Sequence, residues 1–466
     1  MDLENRWAYE EFGGAELGDV RRRSRLIAMG AQAAKVPGGR VSEVFPTDAT
    51  RQGAYDFLES AYVRPDRVVD AIAGACVERC RDEPYVFVPV DGTSLNLTDR
   101  ALCKGFGRIG ADSCHARGLK VIDAIAVSPQ GVPLGICALQ WWARGRKCPK
   151  VSCEVELKET QRWLDAIQIT CDQFASRSTS IRLWFQLDRE ADCWPILQQL
   201  GSSGQSFTVR SRTNRRLHHA AGKKLFLRQH LKRQTALGHD VLQLPTSARR
   251  TGRQAQLLIR AASVTLDMRD KRTKKHRLLT LNAVWVREVA TTPRGEKPLD
   301  WLLLTSEPVA TLEQARLVIF GYTQRWRIED FHRSWKSGAC NVENTQLRAK
   351  EHVIRWATLL SAVALRIERL KHISRSEPDL PASVELTRHE IEALVHLKRI
   401  DKKRNETIPD VMPTIAQATL WIAELGGYTG KSSGGPPGSI TIRRGLDRLR
   451  PAAKLLKALQ LPGKLR

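Results

Sequence analysis

The sequence predicts a mixed α/β unit in the middle of the chain, set between segments that read as helical. Three observations lead there. Two short apolar runs, "YVFVPV" at 85–90 and "IRLWFQL" at 181–187, are each followed at once by an aspartate. Further runs of strand character recur between 119 and 144 and between 190 and 310, separated by turn residues and basic loops. Before residue 68 and after residue 311 the apolar residues recur at helical spacing instead.

Length and charge set the frame for these elements. The chain has 466 residues, more than one ordinary domain, and 42% of them are hydrophobic, ample for a core. Lys and Arg together number 75 against 50 acids, a formal net charge of +25. Such a surplus calls for a polyanionic partner, either nucleic acid or an anionic membrane. No run of about 18 uninterrupted apolar residues exists. The opening "MDLENRWAYEEFGGAELGD" is acidic and polar, unlike a secretory signal or a transit peptide. No membrane partner is therefore expected, and a cytoplasmic protein that works on nucleic acid is. The ten cysteines are scattered, and the closest pairs, Cys76 with Cys80 and Cys148 with Cys153, are followed by no histidine pair at zinc-finger spacing. Reduced thiols are the expectation.

In chain order, residues 1–68 read as helical. Asp19 is placed to cap a helix that carries Val20, Ile27, Ala31 and Ala34 on one face and Arg21, Arg22, Arg23 and Arg25 in its first turns. Pro37-Gly38-Gly39 stops it, and a second helix begins at Thr47 or Asp48. With a net charge of +25, the arginine cluster is read as a phosphate-contacting surface. "YVFVPV" is a buried strand. Residues 119–127 and 131–144 form a hairpin through Ser128-Pro129-Gln130, residues 155–174 a helix, and residues 181–188 another apolar strand. "SFTVRSR", "HDVLQLPT", "QAQLLIRAASVTLDM", "HRLLTLNAVWVREV" and "LDWLLLTSEPV" make a β-rich insertion. Helices return at 311, where Thr311 with Glu313–Gln314 reads as a capping box. The tail beyond about 375 is helical and basic, broken by "YTGKSSGGPPGS" at 428–439 and interrupted by Pro451.

The stretch "GYTQRWRIEDFHRSWKSG" at 321–338 carries the chemistry. Counted from Tyr322, the residues Arg325, Glu329 and Lys336 lie at offsets of 3, 7 and 14. At about 100° per residue all four fall within roughly 60° on one helix face. A phenol, a guanidinium, a carboxylate and an ammonium on one face suit work at a phosphodiester. Arg and Lys hold phosphate, and the carboxylate holds a cation such as a metal ion. A hard divalent cation needs more carboxylates, and Asp91 and Asp188 are the best candidates because each follows an apolar strand. With Glu329 they would form an oxygen-rich cluster able to hold two Mg2+ or Mn2+ ions roughly 4 Å apart. Asp123, Glu190 and Asp192 are nearby alternatives, ranked lower because a strand-interior acid is more often paired structurally.

The spacing Y-x2-R-x3-E-x6-K at Tyr322, Arg325, Glu329 and Lys336, with "DGTSLNLTD" and "LDREAD" around the two aspartates, resembles the IS-four family of bacterial DDE transposases. "RTGRQAQLLIR", "WLLLTSEPV", "LGDVRRRSRL" and "GAYDFL" are similar to the Tn-five type of cut-and-paste transposase within it, and the resemblance spans residues 15 to 370 or so. It implies a ribonuclease-H-like (retroviral-integrase-like) catalytic core over 69–370, with the β-rich insertion at 189–310. A helical DNA-end-binding domain over 1–68 and a helical C-terminal domain over 371–466, suited to dimerisation, would flank it. Asp91, Asp188 and Glu329 would be the catalytic triad that holds Mg2+ or Mn2+, two ions per site. Tyr322, Arg325 and Lys336 would grip phosphates near the transposon terminus. Trp301 would receive a flipped base or else be a core strand aromatic. Arg210 and Arg212 would lie near the cleaved end or else on an exposed strand edge. Arg21, Arg22, Thr47, Arg51 and Gln52 would contact the end. The implied activity is metal-dependent cleavage at inverted ends and strand transfer into target DNA by a homodimer, through hairpin ends. The rival expectations are a non-catalytic or inhibitory DNA-binding relative and a ribonuclease-H-like nuclease without strand transfer.

Overall fold

The computed structural model describes residues 6–110, 116–145, 152–177, 180–218, 224–244, 252–270, 273–290, 292–402, 406, 408, 412–430 and 435–460, apart from the side chains of 152–158. Cys148 and the Cys153 side chain lie outside the described residues. Five helices open the chain: α1 (Arg6–Phe12), α2 (Val20–Lys35), α3 (Val41–Val44), α4 (Asp48–Glu59) and α5 (Pro65–Arg79). Asp19 caps α2, accepting from the Arg21 amide at 2.8 Å, and Thr47 caps α4. Each side chain satisfies an amide that the first helical turn leaves without a partner.

The middle of the chain supplies β1 (Tyr85–Asn96), β2 (Gly107–Arg108), β3 (Arg117–Val127), β4 (Pro133–Trp142), α6 (Ser152–Ala175), β5 (Arg182–Leu187), α7 (Trp194–Ser202) and β6 (Ser206–Arg210). It continues through β7 (Arg216–Leu217), β8 (Leu225–Phe226), α8 (Leu227–Lys232), β9 (Gly238–Leu244), β10 (Arg253–Arg269), β11 (His276–Glu288) and β12 (Asp300–Thr305). These strands form one sheet in the order β2-β3-β1-β5-β6-β12-β11-β10-β7-β8, with β4 beside β3 and β9 beside β10. At its centre β1, β3 and β4 pair antiparallel, and β1, β5 and β6 run parallel. The later strands are therefore not a separate layer. β6 belongs to the parallel centre, and β12, β11 and β10 extend the same sheet from it.

Side-chain alternation sorts the central strands between two cores. Val86, Val88 and Val90 of β1 and Phe185 and Leu187 of β5 pack with Trp163, Ala166 and Ile167 of α6. Phe87 of β1, Trp184 of β5, and Val121 and Ile125 of β3 face the opposite way, toward Val318, Ile319 and Tyr322. Asp91, Asp123 and Asp188 have the parity of this second set.

The chain then enters α9 (Leu312–Gln324), α10 (Trp326–Lys336), α11 (Lys350–Ser376), α12 (Arg388–Ile400), α13 (Ile415–Leu425) and α14 (Ser439–Gln460). Thr311 and Gln314 make the capping box of α9. Gly321 lets α9 lie close on the sheet, since a Cβ there would come within 2.6 Å of Phe87 and 3.1 Å of Gln186. α12, α13 and α14 build their own core from Leu394, Trp421, Ile442, Leu446 and Leu449. None of the described helices is long and apolar enough to cross a membrane.

Three local expectations differ from what forms. β1 does not stop at Val90 but runs to Asn96, because β3 stays paired with it as far as Gly118 while its pairing with β5 ends at Val90↔Leu187. Residues 311–338 are two helices rather than one. At Arg325 the chain tightens into i→i+3 bonds, Arg325 N–H to Tyr322 O at 3.2 Å and Ile328 N–H to Arg325 O at 3.3 Å. Pro451 sits inside α14 without ending it. Leu449 and Ala453 on either side of it are buried, so packing carries the helix across the lost hydrogen bond.

Candidate active site

The register of β1 against β5 brings the two aspartates together. Val90 is the partner of Leu187 in the parallel pair, so the next residue of each strand, Asp91 and Asp188, leaves the pairing side by side on the α9–α10 face. Asp91 is thus a strand-interior residue at the point where its parallel neighbour departs, and Asp188 is the true strand-end residue. Asp188 Oδ1 accepts from the Glu190 amide at 2.7 Å, which fixes its carboxylate at the start of a short 3-10 turn. Asp91 Oδ1 accepts from the Gly92 amide at 2.8 Å.

α10 lies over this pair. Arg325, Glu329, His332 and Lys336 are spaced by four, three and four residues, so at about 100° each they form one narrow stripe. Arg325 Nη1 reaches Asp91 Oδ2 at 3.3 Å, and Nη2 pairs with Glu329 Oε1. His332 Nε2 meets both oxygens of Asp123, at 2.8 and 2.9 Å. Lys336 Nζ donates to Thr93 Oγ1 at 3.2 Å and stands 3.8 Å from Glu343. Burial pushes the Asp91 carboxyl up to about 6, with nearby Asp188 adding to the rise and His332 and Arg325 opposing it. A cleft of about 590 Å3 opens beside β1, lined by Thr93, Lys120, Trp142, Trp163, Glu190 and Lys336 among others.

Other expected site residues stand elsewhere. Tyr322 is buried, and burial raises its phenol. The nearby Arg325 and Arg210 guanidinium groups oppose that rise, and the Asp188 charge adds to it. Trp301 is 5% exposed, with its ring edge-on to Tyr322 at 5.2 Å and to Trp326 at 5.9 Å. No open ring face is presented to a base here, because strand alternation turns Trp301 inward with Leu303. Arg210 donates to the Asp300 carbonyl at 3.3 Å. Arg212 is exposed, its amide bound to Asp192 at 2.7 Å. Asp192 is itself a buried partner of Arg215 and Ser211. On the N-terminal helices Arg21 is exposed, while Arg22 donates to Leu17 O at 3.0 Å and lies over the Tyr62 ring at 4.4 Å. Arg51 pairs with Asp48, and Gln52 donates to Asp56 at 2.8 Å. His332 was missed in the sequence, although its position three residues after Glu329 and four before Lys336 places it on the same stripe.

The donors around Asp91 are hard carboxylate oxygens, gathered where burial and mutual repulsion make a cation welcome, and this fits Mg2+ or Mn2+. Arg325 supplies that cation here, and the carboxylates of Asp91, Asp188 and Glu329 are not all within 4.8 Å of one another. Among the described residues, the group that does meet that distance is Asp330, Glu368 and His372. Lys371 Nζ stands 3.4 Å from Asp330 and pairs with Glu368, so its ammonium already balances these carboxylates. Burial pushes His372 down to about 3, so it is neutral there. We read this cluster as the lock between α10 and α11.

Carboxylates on an α/β sheet beneath a basic helix are the equipment of metal-dependent phosphodiester chemistry, and comparison with protein families names the class. Residues 188–366, which include Asp188 and Glu329 but not Asp91, match the Transposase DDE domain. Residues 4–63, spanning the first four helices, match the Transposase DNA-binding family. The chain therefore carries a transposase DNA-binding domain followed by a DDE transposase domain, a pair that supports a DNA transposase.

Proposed function

We propose that this transposase cuts DNA at the inverted ends of its element and joins them to target DNA, with Asp91, Asp188 and Glu329 as the metal-holding triad. The Val90↔Leu187 register carries the reading, because it sets Asp91 beside Asp188 while Arg325 ties Asp91 to Glu329. The β4-β3-β1-β5-β6 centre supports a ribonuclease-H-like core. The motif resemblance supports the IS-four family, and the Tn-five type within it.

When bound, Mg2+ or Mn2+, two ions per site, would supply the Lewis acidity that activates an attacking oxygen and stabilises the departing one. The protein does the rest by position and charge. Arg325 would turn from the carboxylates to the phosphate, a planar guanidinium being suited to two phosphate oxygens. Lys336, held by Thr93 at the mouth of the cleft, would neutralise an adjacent phosphate. Arg210 would approach the cleaved end, with Tyr322 supporting it from the core. Hydrolysis would free a 3′-OH, which would attack the opposite strand to form a hairpin. After the hairpin reopens, the 3′-OH would attack target DNA. α2 and α4 would hold the transposon end. Two copies would act together, with the C-terminal helices as the contact, on DNA of the nucleoid in the cytoplasm.

Glu329→Gln tests the reading. It should bind an end-bearing duplex as the wild type does and show no cleavage in Mg2+. Nicking near the wild-type rate would remove Glu329 from the mechanism. Joined products on adding target plasmid to the wild type separate a transposase from a nuclease without strand transfer.

A further inference from the structure

The pair Asp123–His332 lies directly behind the carboxylate cluster, and the reaction outlined above does not use it. Asp123 is the partner of Asp91 across β1 and β3. The two side chains therefore stand on the same face, with Cβ atoms roughly 5 Å apart. Asp123 is fully buried, His332 nearly so, and the imidazole Nε2 is shared between the two Asp123 oxygens. α10 thus meets the sheet at three heights: Arg325 on Asp91, His332 on Asp123 and Lys336 on Thr93. Glu329, on the same stripe, makes its ion pair with Arg325.

That arrangement has a consequence for Glu329. If Arg325 turns to phosphate, Arg327 still holds the Gly131 carbonyl and Asp330 still holds α11, and on the stripe that carries Glu329 the next tie to the sheet is His332, one turn along the helix. A buried carboxylate–imidazole pair is also a poorer source of stability than an apolar pair of similar volume. Core filling alone does not account for it. We infer that, given the function proposed above, Asp123 and His332 are positioning residues. They pin α10 to β3 so that Glu329 stays over Asp91 and Asp188 when Arg325 leaves. This is the part that hydrogen-bonded partners behind the ligands play at metal sites.

The test uses the full chain bound to an uncleavable end duplex, with Mn2+ binding followed by electron paramagnetic resonance of the free ion. Four variants are compared with the wild type: His332→Leu, His332→Gln, Asp123→Asn and Glu329→Gln. A glutamine amide reaches close to the position of Nε2 and can still donate to Asp123, whereas leucine cannot. End binding without divalent ions should be unchanged in all of them. Mn2+ affinity should fall about 10- to 100-fold in His332→Leu, the range seen when such partners are removed. It should be largely restored in His332→Gln, and the Mn2+ needed for half-maximal cleavage of an ordinary end should follow the same order. Wild-type Mn2+ affinity in His332→Leu, or equal loss in His332→Gln and His332→Leu, overturns the inference. Should His332→Leu fail to fold, Asp123→Asn decides, because it keeps the shape and removes the charge. Weakened Mn2+ binding there supports the positioning role, and wild-type binding sinks it. If Glu329→Gln leaves Mn2+ binding and cleavage intact, the functional reading itself falls, and the positioning role with it.

Discussion

Replacing Asp91 with asparagine should stabilise the metal-free protein while abolishing cleavage. Burial, reinforced by Asp188, lifts the Asp91 carboxyl from 3.8 to about 6 against the opposing pull of His332 and Arg325. That is about 2 pKa units at about 1.4 kcal/mol each, or about 3 kcal/mol of penalty for holding the charge at neutral pH. The sign follows from proton binding. Between about pH 4 and about pH 6 the folded protein keeps a proton that the unfolded chain has lost, so this contribution to stability is full below 3.8 and is lost as pH rises through 6. Asparagine has the same shape without the charge, and Arg325 keeps Glu329 as a partner. The gain is at most about 3 kcal/mol, because Arg325 does lose one of its two carboxylates. Thermal unfolding in chelator across that pH range is the assay. The wild type should lose stability over the window, and Asp91→Asn should lack that part of the loss. Mn2+ should then raise the wild-type Tm and leave the variant's nearly unmoved. A variant less stable than the wild type at neutral pH without metal, with an unaltered pH slope, would refute the burial argument.

Two further outcomes are expected. Trp301→Ala should destabilise the fold by about 3–5 kcal/mol, the cost of emptying a buried tryptophan site, while end binding per folded molecule stays unchanged. A near-wild-type Tm with lost cleavage would instead make Trp301 a DNA-binding residue. The double variant Arg21→Ala/Arg51→Ala should weaken end binding and lower the salt dependence of log K by about 0.9 for each phosphate that is no longer neutralised. Its Tm should hold, since Arg21 is exposed and an exposed pair such as Arg51–Asp48 contributes little. An unchanged salt slope would remove both arginines from the DNA interface.

Features set by local chemistry were legible in the sequence. The caps at Asp19, Thr47 and Thr311 depend on one side chain and the next turn, and each forms. The β3–β4 hairpin and the end of β5 at Asp188 follow from apolar runs bounded by turn residues. Features that depend on a partner strand or a distant core were not. β1 passes Val90 because β3 accompanies it, which nothing within 85–96 announces. For Trp301 the sequence left a flipped-base platform and a core strand aromatic both open, and it placed Tyr322 on a phosphate; only the distant packing shows the two rings against each other in the core. Asp123, ranked below the triad because it lies inside a strand, is paired, but with a partner, His332, 209 residues away. Pro451 reads as a helix breaker until the burial of Leu449 and Ala453 is known.

On the proposed function, Arg325 stands where the metal site and the DNA site would meet. Burial works against its charge, yet the carboxylates of Asp91 and Glu329 hold it firmly protonated. One guanidinium cannot neutralise two carboxylates and grip a phosphate at once. In the metal-free protein it stands on the carboxylates, where a divalent ion would otherwise be wanted. If the proposed roles hold, loading the site would require an exchange, with the divalent ion taking the carboxylates and the DNA phosphate receiving the guanidinium. Neither half is favourable alone: metal without phosphate leaves Arg325 buried beside a dication, and phosphate without metal strips Asp91 and Glu329 of their counter-ion. Metal and DNA end should consequently bind with positive cooperativity, each raising the other's affinity by the same factor. Arg325→Ala should abolish most of that coupling while leaving the three carboxylates in place. Equal Mn2+ affinities of the wild type with and without end DNA would show that Arg325 does not mediate the exchange.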